Sequence, residues 1–144
     1  MMSQNREFLN FIYQNAEMGR TTIPKLLEKV DDEGFRSLLH EQLQEYQAVG
    51  EEAGRLIQED GGEPKEIGTM QKMGADMMLQ MQTLVDDSSS HVAEMMMKGS
   101  NMGIIEITKH LHQYPEADRK VVHLANDLLR IEQRNLDELK QYLQ

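Results

Sequence analysis

Glu132 lies at the centre of an apolar stripe near the end of the chain, and it is the residue best placed to do chemistry. At about 100° per residue, Glu132 and Asn135 share a helical face with Val121, Ala125, Leu128, Leu136 and Leu139. A carboxylate that faces a core must accept hydrogen bonds, take up a proton or bind a cation, because uncompensated burial is costly. The stripe therefore predicts a polar site inside the protein, with either a metal ion or a structural hydrogen bond at Glu132.

Residues of antiparallel helices lie at equal height when their numbers sum to a constant, and this relation predicts a polar layer around Glu132. The predicted buried layer consists of Asn15, Gln42, Tyr46, Glu132 and Asn135. If a metal ion were bound, its ligands would be Glu132, Asn135, Gln42 and Glu45, although Glu45 lies about a right angle away from the apolar centre. The favoured interpretation is structural, with Glu132 bonded to Tyr46, Asn15 or Gln42.

Glu106 and His110 form a secondary candidate site, because residues four apart meet on one helical face. They could act as metal ligands or as a pair that responds to protonation. The structural alternative, which we favour, is a histidine that is hydrogen-bonded near the C-terminus of its helix. The sequence contains no Ser-His-Asp arrangement, phosphate-binding glycine loop or Rossmann fingerprint.

Apolar periodicity and helix-breaking residues predict five helices and no sheet. The second begins at a cap formed by Asp31 or Asp32 and ends at Gly61-Gly62. The other four span about residues 4–29, 64–85, 90–113 and 116–142. Pro24 predicts a kink or break in the first helix at about residues 20–23. Because each connection is short, neighbouring helices should be antiparallel.

These helices predict one all-α domain over residues 1–144. With the third helix as a crossover, helices one, two, four and five run up, down, down and up, as in a ferritin-like bundle. A five-helix up-and-down bundle fits the same pattern. The chain resembles the ferritin-like, rubrerythrin-like clan, in particular its small uncharacterised bacterial families. The segments that carry this resemblance are NFIYQN (10–15), LLHEQL (38–43), SHVAEMM (90–96) and GSNMG (99–103).

The resemblance implies a di-iron site built from a Glu on each of two helices and a Glu-x-x-His pair on each of the other two. This chain departs from that pattern. Glu132-x-x-Asn135 has an amide in place of the histidine, and the second helix offers Gln42-x-x-Glu45. One inward carboxylate with amides does not hold two irons. The implied metal centre is therefore degraded, so we expect no cofactor, with iron or another divalent metal as the alternative.

The composition excludes several classes of partner. The formal net charge is -10, and no Lys/Arg cluster suggests a contact with nucleic acid or an anionic membrane. No apolar run would span a bilayer, and the absence of cysteine excludes disulfides and thiolate sites. Methionines are frequent on the predicted third and fourth helices, at Met70, Met73, Met77, Met78, Met81, Met95, Met96, Met97 and Met102. Their helical spacing favours core packing, with an adaptable interface as the alternative and Cu(I) binding as a minor one. We expect a cytoplasmic homo-oligomer, most simply a dimer.

The function predicted from these features is that of a non-catalytic helical bundle protein that associates with itself or a partner through apolar, methionine-rich helix faces. The alternative is a metal-binding protein that performs iron or oxygen chemistry at a modified carboxylate site around Glu132. A third interpretation is a small-ligand binder that uses the polar layer and any gap opened by Pro24.

Overall fold

A computed structural model describes residues 4–64 and 88–144 of the chain. Regular structure in these ranges is entirely helical, which confirms the all-α prediction. Four α-helices are present here: α1 (Gln4–Leu27), α2 (Glu33–Glu59), α3 (Ser89–Gln113) and α4 (Arg119–Leu139), the last followed by a 3₁₀ turn at Lys140–Tyr142. The predicted third helix lies outside the described residues, except for Pro64. None of the helices in these ranges is long and apolar enough to cross a membrane.

Helix α1 continues through Pro24, so the predicted break at residues 20–23 is wrong, while the predicted kink stays a prediction. Pro24 lies in the last turn of the helix, where the hydrogen-bond ladder is about to end at Leu27. A proline in a helix interior costs about 3 kcal/mol, but Ile23 and Leu26 on either side are buried in the core. Burial of these two side chains offsets the cost and keeps the turn helical.

The helix ends follow local signals in the sequence. Asp32 Oδ2 accepts a hydrogen bond from the Phe35 amide at 2.8 Å and caps α2, as predicted. After α2, Gly61 adopts a φ of +83°, a left-handed conformation that suits glycine. Helix α4 begins at Arg119 rather than at residue 116, because Asp118 is extended and the preceding residues form a turn.

The helices form two antiparallel pairs. In the first pair, Arg6 near the start of α1 contacts Asp60 after α2, with 3.1 Å between Nη2 and Oδ2. In the second pair, the Gln144 amide beyond α4 donates to Ser90 Oγ near the start of α3 at 3.0 Å. Tight connections between consecutive helices favour this arrangement.

The two pairs pack together around a shared core. Tyr46 of α2 bonds to Glu132 of α4, and Phe11 of α1 stacks on His110 of α3. These contacts and the antiparallel pairs place α1 and α4 in one direction and α2 and α3 in the other. The largest fully buried apolar side chains are Phe8, Leu9, Ile12, Ile23, Leu26, Phe35, Leu39, Ile57, Ile107, Leu128 and Leu139.

Candidate functional site

The centre of the candidate site is a hydrogen bond between two buried side chains, Tyr46 and Glu132. Glu132 is 2% exposed, and the Tyr46 hydroxyl donates to its Oε1. Tyr46 comes from the inward face of α2 and Glu132 from the apolar stripe of α4. The bond therefore connects the two antiparallel pairs through the core. A hydrogen bond to a charged acceptor is stronger than one between neutral groups.

Two glycines make room for this pair on the facing helices. A Cβ atom on Gly103 of α3 would lie 2.9 Å from Glu132 Oε2. A Cβ atom on Gly19 of α1 would lie 2.5 Å from Cδ2 of the Tyr46 ring. Both distances are shorter than normal carbon contacts, so glycine permits the phenol and the carboxyl group to occupy these positions.

Burial controls the electrostatics of the pair. The pKa of Glu132 is raised to about 7, because desolvation of the carboxylate outweighs the lowering effect of Tyr46 and Ser100. Burial, followed by the negative charge of Glu132, raises the pKa of Tyr46 well above its ordinary value. The phenol therefore remains a donor at neutral pH, while the carboxyl group exchanges its proton close to neutrality.

The remaining members of the predicted polar layer lie near this pair. Gln42 is 1% exposed and Asn135 is 0% exposed, and each lies one turn from Tyr46 or Glu132 along its own helix. Their side-chain amide atoms have no hydrogen-bond partner within the described part of the chain. Asn15 is half-buried, and its Nδ2 would lie 3.6 Å from a Cβ on Gly103. Of the three partners considered for Glu132, the structure assigns Tyr46.

The donors around Glu132 do not fit a di-iron centre. Glu45, the other carboxylate proposed as a ligand, instead forms an ion pair with Arg134. The polar layer around Tyr46 thus provides one carboxylate, one phenol and amides, whereas a di-iron site of this type uses four carboxylates and two imidazoles. No group of three or more acidic or histidine side chains suited to a metal occurs within residues 4–64 and 88–144.

Glu106 and His110 make separate contacts. His110 Nδ1 donates to the backbone carbonyl oxygen of Glu106 at 2.7 Å, and its ring stacks on Phe11 with 3.9 Å between centroids. The Glu106 carboxylate pairs with Lys109 at 3.6 Å. These contacts agree with the structural interpretation of His110, in which the histidine packs at the end of α3.

Two further buried polar side chains, Glu17 and Ser100, were not identified from the sequence. Glu17 is buried and accepts two hydrogen bonds from Arg20, at 2.8 and 2.7 Å. Gly50 of α2 lies beside it, and a Cβ there would make an ordinary contact of 3.8 Å with Glu17 Oε1. On α3, Ser100 is buried, whereas Gly99 is exposed.

A cavity of about 170 Å³ adjoins the Tyr46–Glu132 pair, between α1 and α3. Its walls include Met18, Ile23, Leu26, Met95 and Met96, and both Tyr46 and Glu132 contribute to its lining. Helical periodicity gave no sign of this space, because a cavity depends on how the facing side chains fit together.

The fold is similar to that of a solved structure described as "YcfI, a putative structural protein from Rhodopseudomonas palustris". The two chains share 16% sequence identity with a TM-score of 0.71, and the similarity covers 92% of this chain and 88% of the other. No curated protein matches the sequence. The match to a known family covers residues 5–113, which include Tyr46 but not Glu132. By this match, the chain belongs to the family described as Domain of unknown function (DUF2383).

Proposed function

We propose that this protein is a non-catalytic, cytoplasmic helical bundle protein of the ferritin-like type, with a degraded metal centre, and that it works by self-association. The observation that carries the proposal is the hydrogen bond from Tyr46 to Glu132. In a bundle, this bond satisfies an interior carboxyl group without a metal ion. The carboxylate becomes a packing element that joins α2 to α4.

Two observations support the ferritin-like assignment. The helix directions, with α1 and α4 opposed to α2 and α3, match the up, down, down, up order of that fold. In addition, the polar layer crosses the middle of the core at the level where ferritin-like proteins hold their metals. Asn135 and Gln42 stand where the di-iron pattern has a histidine and a carboxylate. This loss of metal ligands is expected if only the scaffold has been retained.

The outer surface of α3 supports self-association. Met102 is 66% exposed and Ile105 is 46% exposed, and residues three apart lie on the same side of a helix. Methionine adapts its shape to a partner surface. The predicted methionine stripe at Met70 to Met81 lies outside the described residues.

The protein purified without chelators is expected to contain no stoichiometric iron, manganese or zinc, because Tyr46 and Arg134 occupy the carboxylates that a metal would need. Elemental analysis of the wild type and of Glu132→Gln provides the measurement. Equal background metal in both proteins agrees with the proposal. Stoichiometric metal in the wild type that disappears in the variant would favour the alternative, a metal-binding protein with a modified carboxylate site.

Lysine substitutions at Met102 and Ile105 are expected to weaken self-association roughly 100-fold or more, because they remove two apolar contacts and introduce charge. Light scattering coupled to size exclusion, over a range of protein concentrations, would measure this change. Leu143→Lys is the matched control, since it places a lysine at another exposed apolar side chain. A wild-type protein that remains monomeric at high concentration, or an equal effect of the control, would refute this surface.

A further inference from the structure

The cavity beside Glu132 has apolar walls and a polar floor. Side chains from α1 and α3 form the walls, including Ile23, Leu26 and Met95. Its volume of about 170 Å³ is comparable to that of an engineered apolar cavity of about 150 Å³ that holds benzene. A ligand with one compact apolar group of that size would therefore fit.

The floor of the cavity is rich in hydrogen-bond acceptors. Glu132, Tyr46, Asn15 and Ser100 are among its lining residues, and each carries a side-chain oxygen atom. No lysine, arginine or histidine is among the described residues that line the cavity. The carboxylate therefore has no positively charged neighbour in this lining, although its charged form is the one that burial disfavours.

We propose that this cavity is a binding site for a small primary amine that carries one compact apolar group. The ammonium group would donate to Glu132, and its remaining protons would be directed to the oxygens of Tyr46, Asn15 or Ser100. The apolar group would lie between the walls from α1 and α3. This assignment is independent of the proposed function, because it requires neither a metal ion nor a second copy of the chain.

The charge of Glu132 distinguishes an amine from other ligands of the same shape. An alcohol would fill the cavity equally well, but it would leave the carboxylate without a counter-charge. A hydrogen bond to a charged partner is about twice as strong as one between neutral groups. We therefore expect the amine to bind about tenfold more tightly than the matching alcohol when Glu132 is charged.

Affinity for the amine is expected to rise with pH as Glu132 loses its proton. The groups that face Glu132 are Tyr46 from α2, Asn15 from α1 and Ser100 from α3, and Asn135 of α4 lies beside Tyr46. Of these neighbours, Tyr46 is the one that titrates, and its pKa is raised well above 10.0. Glu132, with its pKa raised to about 7, therefore governs binding between mildly acidic and mildly basic pH.

Calorimetric titration with benzylamine and benzyl alcohol tests the proposal on the wild type, Glu132→Gln and Gly99→Leu. The Gln variant keeps the shape of the cavity but removes the charge. Gly99 lines the cavity, and no heavy atom lies within 4 Å of a Cβ added there, so a leucine would narrow the cavity without a clash at its Cβ. The wild type should prefer the amine by about tenfold, the Gln variant should lose this preference, and the Leu variant should bind neither compound.

Three results would overturn the assignment. Equal binding of amine and alcohol by the wild type would reduce the site to an apolar cavity with no selectivity for charge. Unchanged binding by Gly99→Leu would place the ligand elsewhere on the protein. If circular dichroism shows that the wild type is folded and neither compound binds to it, the proposal is wrong.

Discussion

The wild type is expected to lose about 3 kcal/mol of stability against unfolding as the pH rises from about 4.5 to about 8, and Glu132→Gln is expected to remove this loss. The pKa of Glu132 is raised from 4.5 to about 7 in the folded protein. Between these two values the folded state holds a proton that the unfolded state has released. The free energy of unfolding therefore falls as the pH rises through this range.

This stabilisation is fully present below about pH 4.5 and is lost once the pH exceeds about 7. Glutamine cannot ionise, but its carbonyl oxygen can still accept the hydrogen bond from Tyr46. The variant should therefore remain folded, and it should be more resistant than the wild type to mildly basic conditions.

Urea denaturation of both proteins at several pH values would measure the effect. The difference between the wild type and the variant isolates Glu132, because the other titrating groups are common to both. Glu94→Gln is a suitable control, because Glu94 is an exposed carboxylate on α3. If Glu132→Gln and Glu94→Gln gave the same pH profile, Glu132 would not be the buried, proton-linked group described above.

Gly19→Ala is expected to destabilise the protein by about 1–3 kcal/mol, although alanine usually stabilises a helix relative to glycine by up to about 1 kcal/mol. The new Cβ would lie 2.5, 2.7 and 2.9 Å from three atoms of the Tyr46 ring. The ring is buried and its hydroxyl is bonded to Glu132, so it can move away only by disturbing that bond. Overpacking therefore outweighs the gain in helix propensity.

Gly99→Ala is the matched control for this substitution. It makes the same change within α3, but no heavy atom lies within 4 Å of the new Cβ. We expect this variant to be more stable than the wild type by up to about 1 kcal/mol. Thermal or chemical denaturation would compare the two variants. A Gly19→Ala protein that equals or exceeds Gly99→Ala in stability would show that Tyr46 is not held tightly against α1.

The sequence was sufficient to predict the helices of the described ranges and the inward position of Glu132. Asp32 and Gly61 act on the few residues beside them, so their effects can be read locally. The apolar stripe of α4 has a clear period, which fixes the side of the helix that faces the core. Pro24 does not break α1, because the burial of its neighbours, a tertiary effect, offsets a local cost.

Contacts between helices could not be derived in the same way. The residue numbers predicted which residues lie at the same height as Glu132, and they left Tyr46, Asn15 and Gln42 as alternative partners. Height alone does not specify how each helix is rotated or how closely it approaches its neighbours. Gly19 and Gly103 determine that approach, and they select Tyr46.

The sequence by itself therefore determined the helical character of the chain and the presence of an acid in the core, since both follow from local propensity and a repeating pattern. The tertiary structure alone decided the partner of that acid, its raised pKa and the cavity beside it. These three properties depend on desolvation and on the fit of side chains from four different helices. Neither desolvation nor this fit is encoded within a single helical segment.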